Sequence, residues 1–146
     1  MPRTERAATI AWEGNVARGH GTVESTTSGE LRGETISLAT RVGDPDGTTS
    51  PEELIAAAHA GCFAMALSNE LSKLDKPPER LEATCTITLD EIGENHGIVR
   101  SELRVRGRVP GIGAEEFRHA AERAKDGCVV SRALDTEITL DARLDQ

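Results

Sequence analysis

The sequence predicts an α+β fold for a single domain spanning residues 1–146. Three observations lead to this expectation. Short apolar stretches separated by turn residues occupy the first part of the chain, a long apolar segment of helical character follows, and the second half alternates between strand and helix patterns. The sequence has no internal repeat and no linker-like stretch, so one domain is expected.

The first part, residues 8–41, has the pattern of an antiparallel β-meander. Reversals rich in glycine, such as Glu13-Gly14-Asn15 and Thr27-Ser28-Gly29, separate its strands. The following segment, residues 42–50, has no apolar residue after its first position and is expected to be a loop. The apolar residues that mark the strands are Trp12, Val16, Val23, Leu31, Ile36 and Leu38.

A long central helix should follow this loop. Ser50 can serve as its N-cap, Pro51 suits the first helical position, and Glu53 can complete a capping box. The helix should end near Leu74, before a pair of prolines. Its first half is apolar on nearly every side, which predicts a helix that is buried all round. With only 2% aromatic residues, one small chain covers such a helix poorly, so we expect a second copy to help stabilise it.

The second half of the chain should contain a β-hairpin, a second helix and a last strand. The first hairpin strand alternates between apolar and polar residues, and the second carries its charges on one face. A glycine, Gly127, is placed to cap the second helix, and a short turn begins at Cys128. The expected ranges are residues 81–90 and 98–109 for the hairpin, with a turn at 94–97, then 114–125 for the helix and 137–144 for the strand.

Charge and composition exclude several classes of function. The net charge of -8 and the sequence pI near 5.0 argue against a nucleic-acid partner, which requires a basic face. The longest apolar-rich stretch, Leu54–Leu67, is shorter than the roughly 20 residues of a membrane span, and the start of the chain lacks the pattern of a signal peptide. We therefore expect no membrane partner and a cytoplasmic location.

The three cysteines do not form a disulfide framework or a zinc ribbon, because their number is odd and no CxxC pair occurs. Cys85 lies on the apolar face of a strand and is interpreted as a buried, inert thiol. Cys62 lies in the apolar helix, where it is either a core thiol or a nucleophile in a hydrophobic pocket. Cys128 opens a new turn, and the positive end of a helix dipole there would lower its pKa and favour reactivity.

His59 precedes Cys62 by three residues, so the two share a helix face. A metal site would need a further ligand, and the sequence offers no second clustered pair, so no metal is expected. A His–Cys nucleophile pair is one alternative. A partly buried histidine with a hydrogen bond is the commoner outcome, and it is the interpretation we favour.

Two cysteine-containing segments resemble the signatures of the OsmC/Ohr family. Residues 50–67 read SPEELIAAAHAGCFAMAL and resemble the family's central helix, and residues 124–134 read AKDGCVVSRAL and resemble its second cysteine motif. The resemblance runs through nearly the whole chain in order and implies an OsmC-like intertwined homodimer with sites at the interface. Further matches to the OsmC branch are Trp12-Glu13-Gly14, Gly19-His20-Gly21-Thr22-Val23, Ser28-Gly29, Val109-Pro110-Gly111-Ile112 and Ile138-Thr139-Leu140-Asp141.

The resemblance implies a thiol-dependent peroxidase that serves in the response to oxidative or osmotic stress. Its substrates would be organic hydroperoxides and, less efficiently, hydrogen peroxide. By carry-over, Cys62 is the peroxidatic cysteine that becomes a sulfenic acid, and Cys128 is the resolving cysteine that forms a disulfide with it. A dithiol reductant, such as a lipoyl protein, would restore the thiols. No metal and no other cofactor is required.

A buried thiol has a raised pKa, so a cation is needed to hold Cys62 as a thiolate. By resemblance this cation is Arg41, and Glu52 would orient its guanidinium through a bidentate pair. Arg18 is the second choice, because the Ohr branch takes its arginine from an earlier turn. Glu52 and Cys62 lie about 15 Å apart along a straight helix. Either the helix bends before Gly61, or the ion pair reaches the site by another path, such as from a second subunit.

Three other functions stay open at this point. A redox sensor would oxidise the same cysteines without efficient turnover. A small-ligand-binding protein would use the apolar pocket, with Cys62 as part of its core. A cysteine hydrolase is a weaker alternative, because no His–Asp pair is evident around Cys62.

Overall fold

The computed structural model of the protein describes residues 2–145 and has the predicted α+β fold. The chain forms two compact units, Met1–Leu54 and Ile55–Gln146. Each unit contains one three-stranded sheet. The expectation that both units together make a single domain stays a prediction.

The first unit contains the predicted antiparallel meander. Its strands are adjacent in the order β1-β2-β3. The connection from β1 to β2 is tight: a Cβ on Gly19 would lie 2.3 Å from the carbonyl oxygen of Glu13, and Gly14 has a φ of 89°. The strands are β1 (Ala8–Glu13), β2 (His20–Thr26) and β3 (Thr35–Ile36).

A short helix, α1 (Leu38–Val42), follows the meander and was not predicted. The Ser37 hydroxyl accepts a hydrogen bond from the Thr40 N–H and so caps the helix start. With only five residues, this helix is too short to produce the periodic apolar pattern by which helices are recognised. Its main consequence is that Arg41 lies in a helical turn rather than at the end of a strand.

The central helix, α2 (Pro51–Lys73), begins as predicted with proline in its first position. The Ser50 hydroxyl accepts from the Glu53 N–H at 3.1 Å, as expected of an N-cap. The reciprocal half of the capping box was wrong, because the Glu53 carboxylate instead accepts a hydrogen bond from the Thr49 hydroxyl at 2.8 Å. At the other end, Asp75 adopts a left-handed φ of 58° just after the helix ends.

The second unit is a β-hairpin extended by a parallel strand. The hairpin strands are antiparallel, and the last strand pairs in parallel with β5, which requires the crossover that the helices provide. The predicted turn at 94–97 was wrong by about two residues, because the chain reverses at Gly93 and Glu94, where Gly93 has a φ of 60°. The elements are β4 (Arg80–Ile92), β5 (Asn95–Arg108), α3 (Ala114–Gly127), α4 (Val129–Ala133) and β6 (Glu137–Leu144).

The prediction that Gly127 caps the second helix was wrong. Gly127 is the last residue of α3, and Cys128 follows with an extended backbone of φ -63° and ψ 128°. Cys128 is at once the C-cap of α3 and the N-cap of α4. Because α4 starts at the next residue, the chain has no room for a left-handed glycine turn.

One stripe of α2 is buried in the core of the second unit. His59, Phe63, Leu67 and Leu71 recur every four residues along this stripe and are fully enclosed. The three apolar members of the stripe belong to one core cluster with residues of β5 and α3, including Leu103, Val105, Phe117, Ala120 and Ala121.

The expectation that α2 is buried on every side was wrong for one chain. Ala57, Ala58, Gly61 and Met65 are exposed on the opposite side of the helix, and the Met65 side chain is 76% exposed. A single layer of sheet and helix covers only one face of a helix. By length and composition α2 could also span a bilayer, with a mean hydropathy of 1.2 over its best window. The core helix of a globular protein meets the same criteria of length and composition, and α2 has the enclosed apolar stripe of a core helix.

Candidate active site

The two predicted reactive cysteines lie together in the second unit. Cys62 is half-buried on α2 and packs against the apolar core to which the fully buried Cys128 belongs. Both cysteines are free thiols, so the structure represents the reduced state.

The surroundings of Cys128 favour its thiolate. Burial alone would raise the pKa of Cys128, but nearby polar groups of Ser131, Cys62 and Val130 outweigh burial and hold the pKa below its usual value. Ser131 contributes both its N–H and its hydroxyl. None of these contacts has the regular geometry of a helix-capping hydrogen bond, so their effect is mainly that of dipoles pointing toward the sulfur.

A fully buried imidazole, that of His59, lies on α2 three residues before Cys62. His59 Nε2 is 2.7 Å from the Ser131 hydroxyl oxygen, and His59 Nδ1 is 2.7 Å from that of Ser101. The sequence led us to expect a partly buried histidine with one hydrogen bond. It is instead completely enclosed and bonded at both nitrogens, and burial lowers the pKa of His59, so its ring is held neutral.

The third cysteine belongs to the same cluster. Cys85 Sγ lies 3.1 Å from the Ser101 hydroxyl oxygen and 3.7 Å from His59 Nδ1. Burial raises the pKa of Cys85, and the contact with Ser101 only partly opposes this. Cys85 is half-buried rather than fully buried as expected, but its raised pKa keeps it protonated and therefore a poor nucleophile.

Arg41 and Glu52 form the predicted bidentate ion pair in the first unit. Arg41 Nε donates to Glu52 Oε1 at 2.8 Å, and Arg41 Nη2 donates to Glu52 Oε2 at 2.6 Å. The hydrogen bonds from Arg41 hold the pKa of Glu52 below its usual value, although burial opposes this. The same bonds raise the pKa of Arg41, so both groups stay charged.

Arg41 also borders a pocket of about 250 Å³ in the first unit. The pocket is mainly apolar, and its side chains come from the meander, α1 and the start of α2. The residues that line it with Arg41 are Trp12, Val16, Ile36, Ser37, Leu38 and Pro51.

The alternative arginine has a different environment. The Arg18 side chain is exposed, and its backbone N–H donates to Asn15 Oδ1 within the β1–β2 turn. The helix carrying Glu52 and Cys62 is assigned without interruption through Gly61. Which arginine serves Cys62, and from which subunit, stays a prediction.

Sequence reasoning missed Ser101 and Ser131. Ser101 carries a detectable signal, because it is the polar member of an inward-facing register on β5 that is otherwise apolar or glycine. Ser131 lies three residues after Cys128, within the first turn of α4, and its burial could not be read from such a short helix.

Among residues 2–145, no group of three or more His, Cys, Asp and Glu side chains is arranged to hold a metal ion. The hydrogen-bonding capacity of the buried polar cluster is used internally. Every buried side-chain nitrogen and oxygen in this part of the chain has a hydrogen-bond partner.

Comparisons with known proteins agree with these features. Residues 43–143 match the family model described as OsmC-like protein. The chain is 44% identical over 133 residues to proteins named Peroxiredoxin OsmC from Escherichia coli K12 and Shigella flexneri, which covers 91% of this chain and 92% of each relative.

Solved structures show the same fold at low sequence identity. An OsmC-like protein of unknown function from Vibrio cholerae superposes with a TM-score of 0.74 at 14% identity, covering 96% of this chain and 99% of that one. The organic hydroperoxide resistance protein OhrB of Bacillus subtilis gives a TM-score of 0.69 at 22% identity, covering 95% of this chain and 98% of that one. On the strength of the family match and the identity to curated relatives, the chain belongs to the OsmC-like protein family.

Proposed function

We propose that the protein is a thiol-dependent peroxidase that reduces organic hydroperoxides to alcohols through Cys62 and Cys128. The observation that carries the proposal is the pairing of a half-buried thiol on α2 with a buried cysteine whose thiolate is favoured. The coarser expectation of a cysteine-based peroxidase is confirmed by the relatives named Peroxiredoxin OsmC.

In the first step, the Cys62 thiolate attacks one oxygen of the hydroperoxide. An S–O bond forms and the O–O bond breaks, which leaves Cys62 as a sulfenic acid and releases an alkoxide that is protonated to the alcohol. The guanidinium of Arg41 would stabilise the thiolate and the departing alkoxide, with Glu52 keeping it oriented through the bidentate pair. We propose these two residues as members of the catalytic site.

In the second step, the Cys128 thiolate attacks the sulfur of the Cys62 sulfenic acid. The S–S bond forms, the S–O bond breaks, and hydroxide leaves and is protonated to water. A dithiol reductant, for which a lipoyl protein is our candidate, then restores both thiols. Because Cys62 is only half-buried whereas Cys128 is enclosed, the reductant would reach Cys62 first.

The proposed preference for organic over inorganic peroxides is supported by the pocket beside Arg41. Its walls are mainly apolar, and an alkyl group entering it would leave water, whereas hydrogen peroxide gains nothing from such walls. The name of the Bacillus subtilis structural neighbour, an organic hydroperoxide resistance protein, is in line with this preference.

We also propose that two chains associate as a homodimer of single OsmC-like domains in the cytoplasm. The exposed apolar side of α2, formed by Ala57, Ala58, Gly61 and Met65, is the surface that favours association. Light scattering at micromolar concentration should give the mass of two chains, and the mass of one chain would refute the dimer.

The test of the proposed function is a thiol map after exposure to one equivalent of tert-butyl hydroperoxide. The parent should form a Cys62–Cys128 disulfide within seconds. Cys128→Ser should stop at a Cys62 sulfenic acid, and Cys62→Ser should consume no peroxide. Cys85→Ser is the matched control and should behave as the parent. A Cys62 that stays reduced in the parent after minutes of exposure would refute the peroxidase mechanism.

Two alternatives from the sequence are separated by a second measurement. Steady-state consumption of the same peroxide with dihydrolipoamide as reductant is expected of a peroxidase. A redox sensor would form the disulfide once and stop. A protein that binds apolar ligands without redox chemistry would keep its ligand binding unchanged in Cys62→Ser.

A further inference from the structure

A buried hydrogen bond joins the two helical turns that carry the proposed reactive cysteines. His59 Nε2 on α2 lies 2.7 Å from the Ser131 hydroxyl oxygen on α4, although the two residues are 72 positions apart in the chain. Cys62 follows His59 by three residues, and Cys128 precedes Ser131 by three residues. Residues at this spacing lie about one helical turn apart on the same face, so the bond connects the turn of Cys62 to the turn of Cys128.

The placement of α4 depends strongly on this bond. The helix has only five residues, and a helix of that length has little stability of its own. Ser131 is the one buried residue among these five, and Val130 packs only partly against the core. The backbone of Cys128 belongs to the same turn, because the Arg132 N–H donates to the Cys128 carbonyl oxygen at 3.1 Å. A contact that fixes Ser131 therefore also fixes the backbone of Cys128.

The other nitrogen of the same ring ties α2 to the sheet. His59 Nδ1 lies 2.7 Å from the Ser101 hydroxyl oxygen on β5, and all three side chains are buried. A neutral imidazole donates from one nitrogen and accepts at the other, so it can bond both hydroxyls at once. With both bonds made, the ring is held in one orientation, and the Ser131 side chain is held relative to α2 and β5.

We propose that His59 and Ser131 are positioning residues for the disulfide step, whose hydrogen bond holds the Cys128 turn at the distance from α2 that a Cys62–Cys128 disulfide requires. Neither residue touches the peroxide. Cys62 packs against the core cluster that contains Cys128, so a disulfide between them would crosslink the same two turns that the hydrogen bond joins. This inference rests on the proposed function, in which Cys128 attacks the Cys62 sulfenic acid and the S–S bond forms as hydroxide leaves and is protonated to water.

Two links between the same pair of turns reinforce each other, because each one reduces the conformational freedom that the other must restrict. Loss of the hydrogen bond should therefore lower the equilibrium constant for disulfide formation. The expected decrease is about threefold to tenfold, which corresponds to the net contribution of one hydrogen bond. A hydrogen bond that served only general stability would leave this constant unchanged, because it would be equally strong in the reduced and the oxidised protein.

The experiment compares two variants that each remove one hydrogen bond of His59. Ser131→Ala removes the bond to α4, and Ser101→Ala removes the bond of equal length to β5. Both are made in a Cys85→Ala background, because Cys85 also contacts Ser101 and would be a third thiol. The proteins are equilibrated with mixtures of reduced and oxidised dithiothreitol, and the fraction with an intramolecular disulfide is measured by mass spectrometry. In this exchange the protein dithiol is oxidised as the dithiothreitol disulfide is reduced, so two electrons and two protons are transferred.

Ser131→Ala should lower the equilibrium constant about threefold to tenfold relative to the background protein, and Ser101→Ala should leave it unchanged. A second pair of variants decides the question if circular dichroism shows that a serine variant does not fold. His59→Gln places an amide nitrogen near the position of Nε2, facing Ser131, and should keep the constant of the background protein. His59→Asn places one near Nδ1, facing Ser101, and should show the decrease.

An unchanged constant in Ser131→Ala would overturn the proposal and leave the hydrogen bond with a general structural role. A decrease in Ser101→Ala as large as that in Ser131→Ala would overturn it as well, because the bond to α4 would then have no special effect. A background protein that forms no disulfide between Cys62 and Cys128 would instead refute the pairing of the cysteines, and with it the proposed function. The exchange uses no peroxide, so the two failures are distinguishable.

Discussion

Gly107 provides a direct test of how tightly the second unit is packed. It is buried on β5, and an added Cβ would lie 2.5 Å from Phe117 Cζ, 2.6 Å from Phe117 Cε1 and 3.2 Å from Leu81 Cδ2. Carbon atoms prefer separations of about 3.5–4.0 Å. The Phe117 ring is fully enclosed on α3, so it can move by the necessary ångström only if the helix moves with it.

Gly107→Ala should therefore destabilise the reduced protein by about 1–3 kcal/mol, the usual cost of overpacking a core. The melting temperature should fall by about 3–10 °C for a chain of this size. The assay is thermal and urea unfolding of the reduced protein, followed by circular dichroism.

Gly127→Ala is the matched control, because its Cβ would meet nothing within 4 Å and it lies in a helix. It should leave stability unchanged or raise it by up to about 1 kcal/mol. Phe117→Leu combined with Gly107→Ala should be less destabilising than the sum of the single changes. A Gly107→Ala protein within about 0.5 kcal/mol of the parent would refute the packing argument.

The remaining predictions concern the charged and titratable groups. Burial holds the folded-state pKa of His59 below its usual 6.5. The neutral ring should therefore contribute fully to stability above pH 6.5, and this contribution should fall as the pH decreases below 6.5. Urea midpoints measured over this pH range should show the decrease in the parent, and His59→Gln should not show it. If the Arg41–Glu52 pair acts as proposed, Glu52→Gln should slow the oxidation of Cys62 about tenfold. The free energy of unfolding should change by less than about 1 kcal/mol, because the Arg41 side chain is 37% exposed. An unchanged oxidation rate would contradict the proposed role of Glu52. Arg41→Met and Cys62→Ser chains should each be inactive alone. Mixing them should restore activity if a site takes its arginine and its thiol from different subunits. Mixed dimers without activity would show that Arg41 serves the Cys62 of its own chain.

The parts of the fold that the sequence predicts well are those set by local chemistry. The start of α2 follows from a serine cap and a proline in the first turn, and both operate within four residues. The alternation in β4 and β5 follows from the two-residue period of a strand. The prediction that Cys128 opens a new turn was also correct, although Gly127 is the last residue of α3 and not its cap.

The features that were missed depend on partners distant in the chain. Whether α2 is buried on one side or on all sides depends on how many layers of structure surround it. An apolar helix sequence is compatible with both arrangements. The capping box is a local exception, because Thr49, four residues before Glu53, competes for the Glu53 carboxylate. Ser101 and Ser131 contact His59 from 42 and 72 residues away, and sequence separation of that size carries no local signal.

The series of buried polar contacts that joins Cys85, Ser101, His59 and Ser131 is better explained by orientation than by stability. A fully buried imidazole with two hydrogen bonds contributes little net free energy, because the bonds replace those lost to water, and an apolar side chain of similar volume would serve the core as well. A half-satisfied series would be costly, so its members must be held in one arrangement. In a chain with so few aromatic residues, this arrangement gives the second unit a rigid polar link between strand and helix. The link ends at the Ser131 hydroxyl, which lies in the helical turn that Cys128 opens.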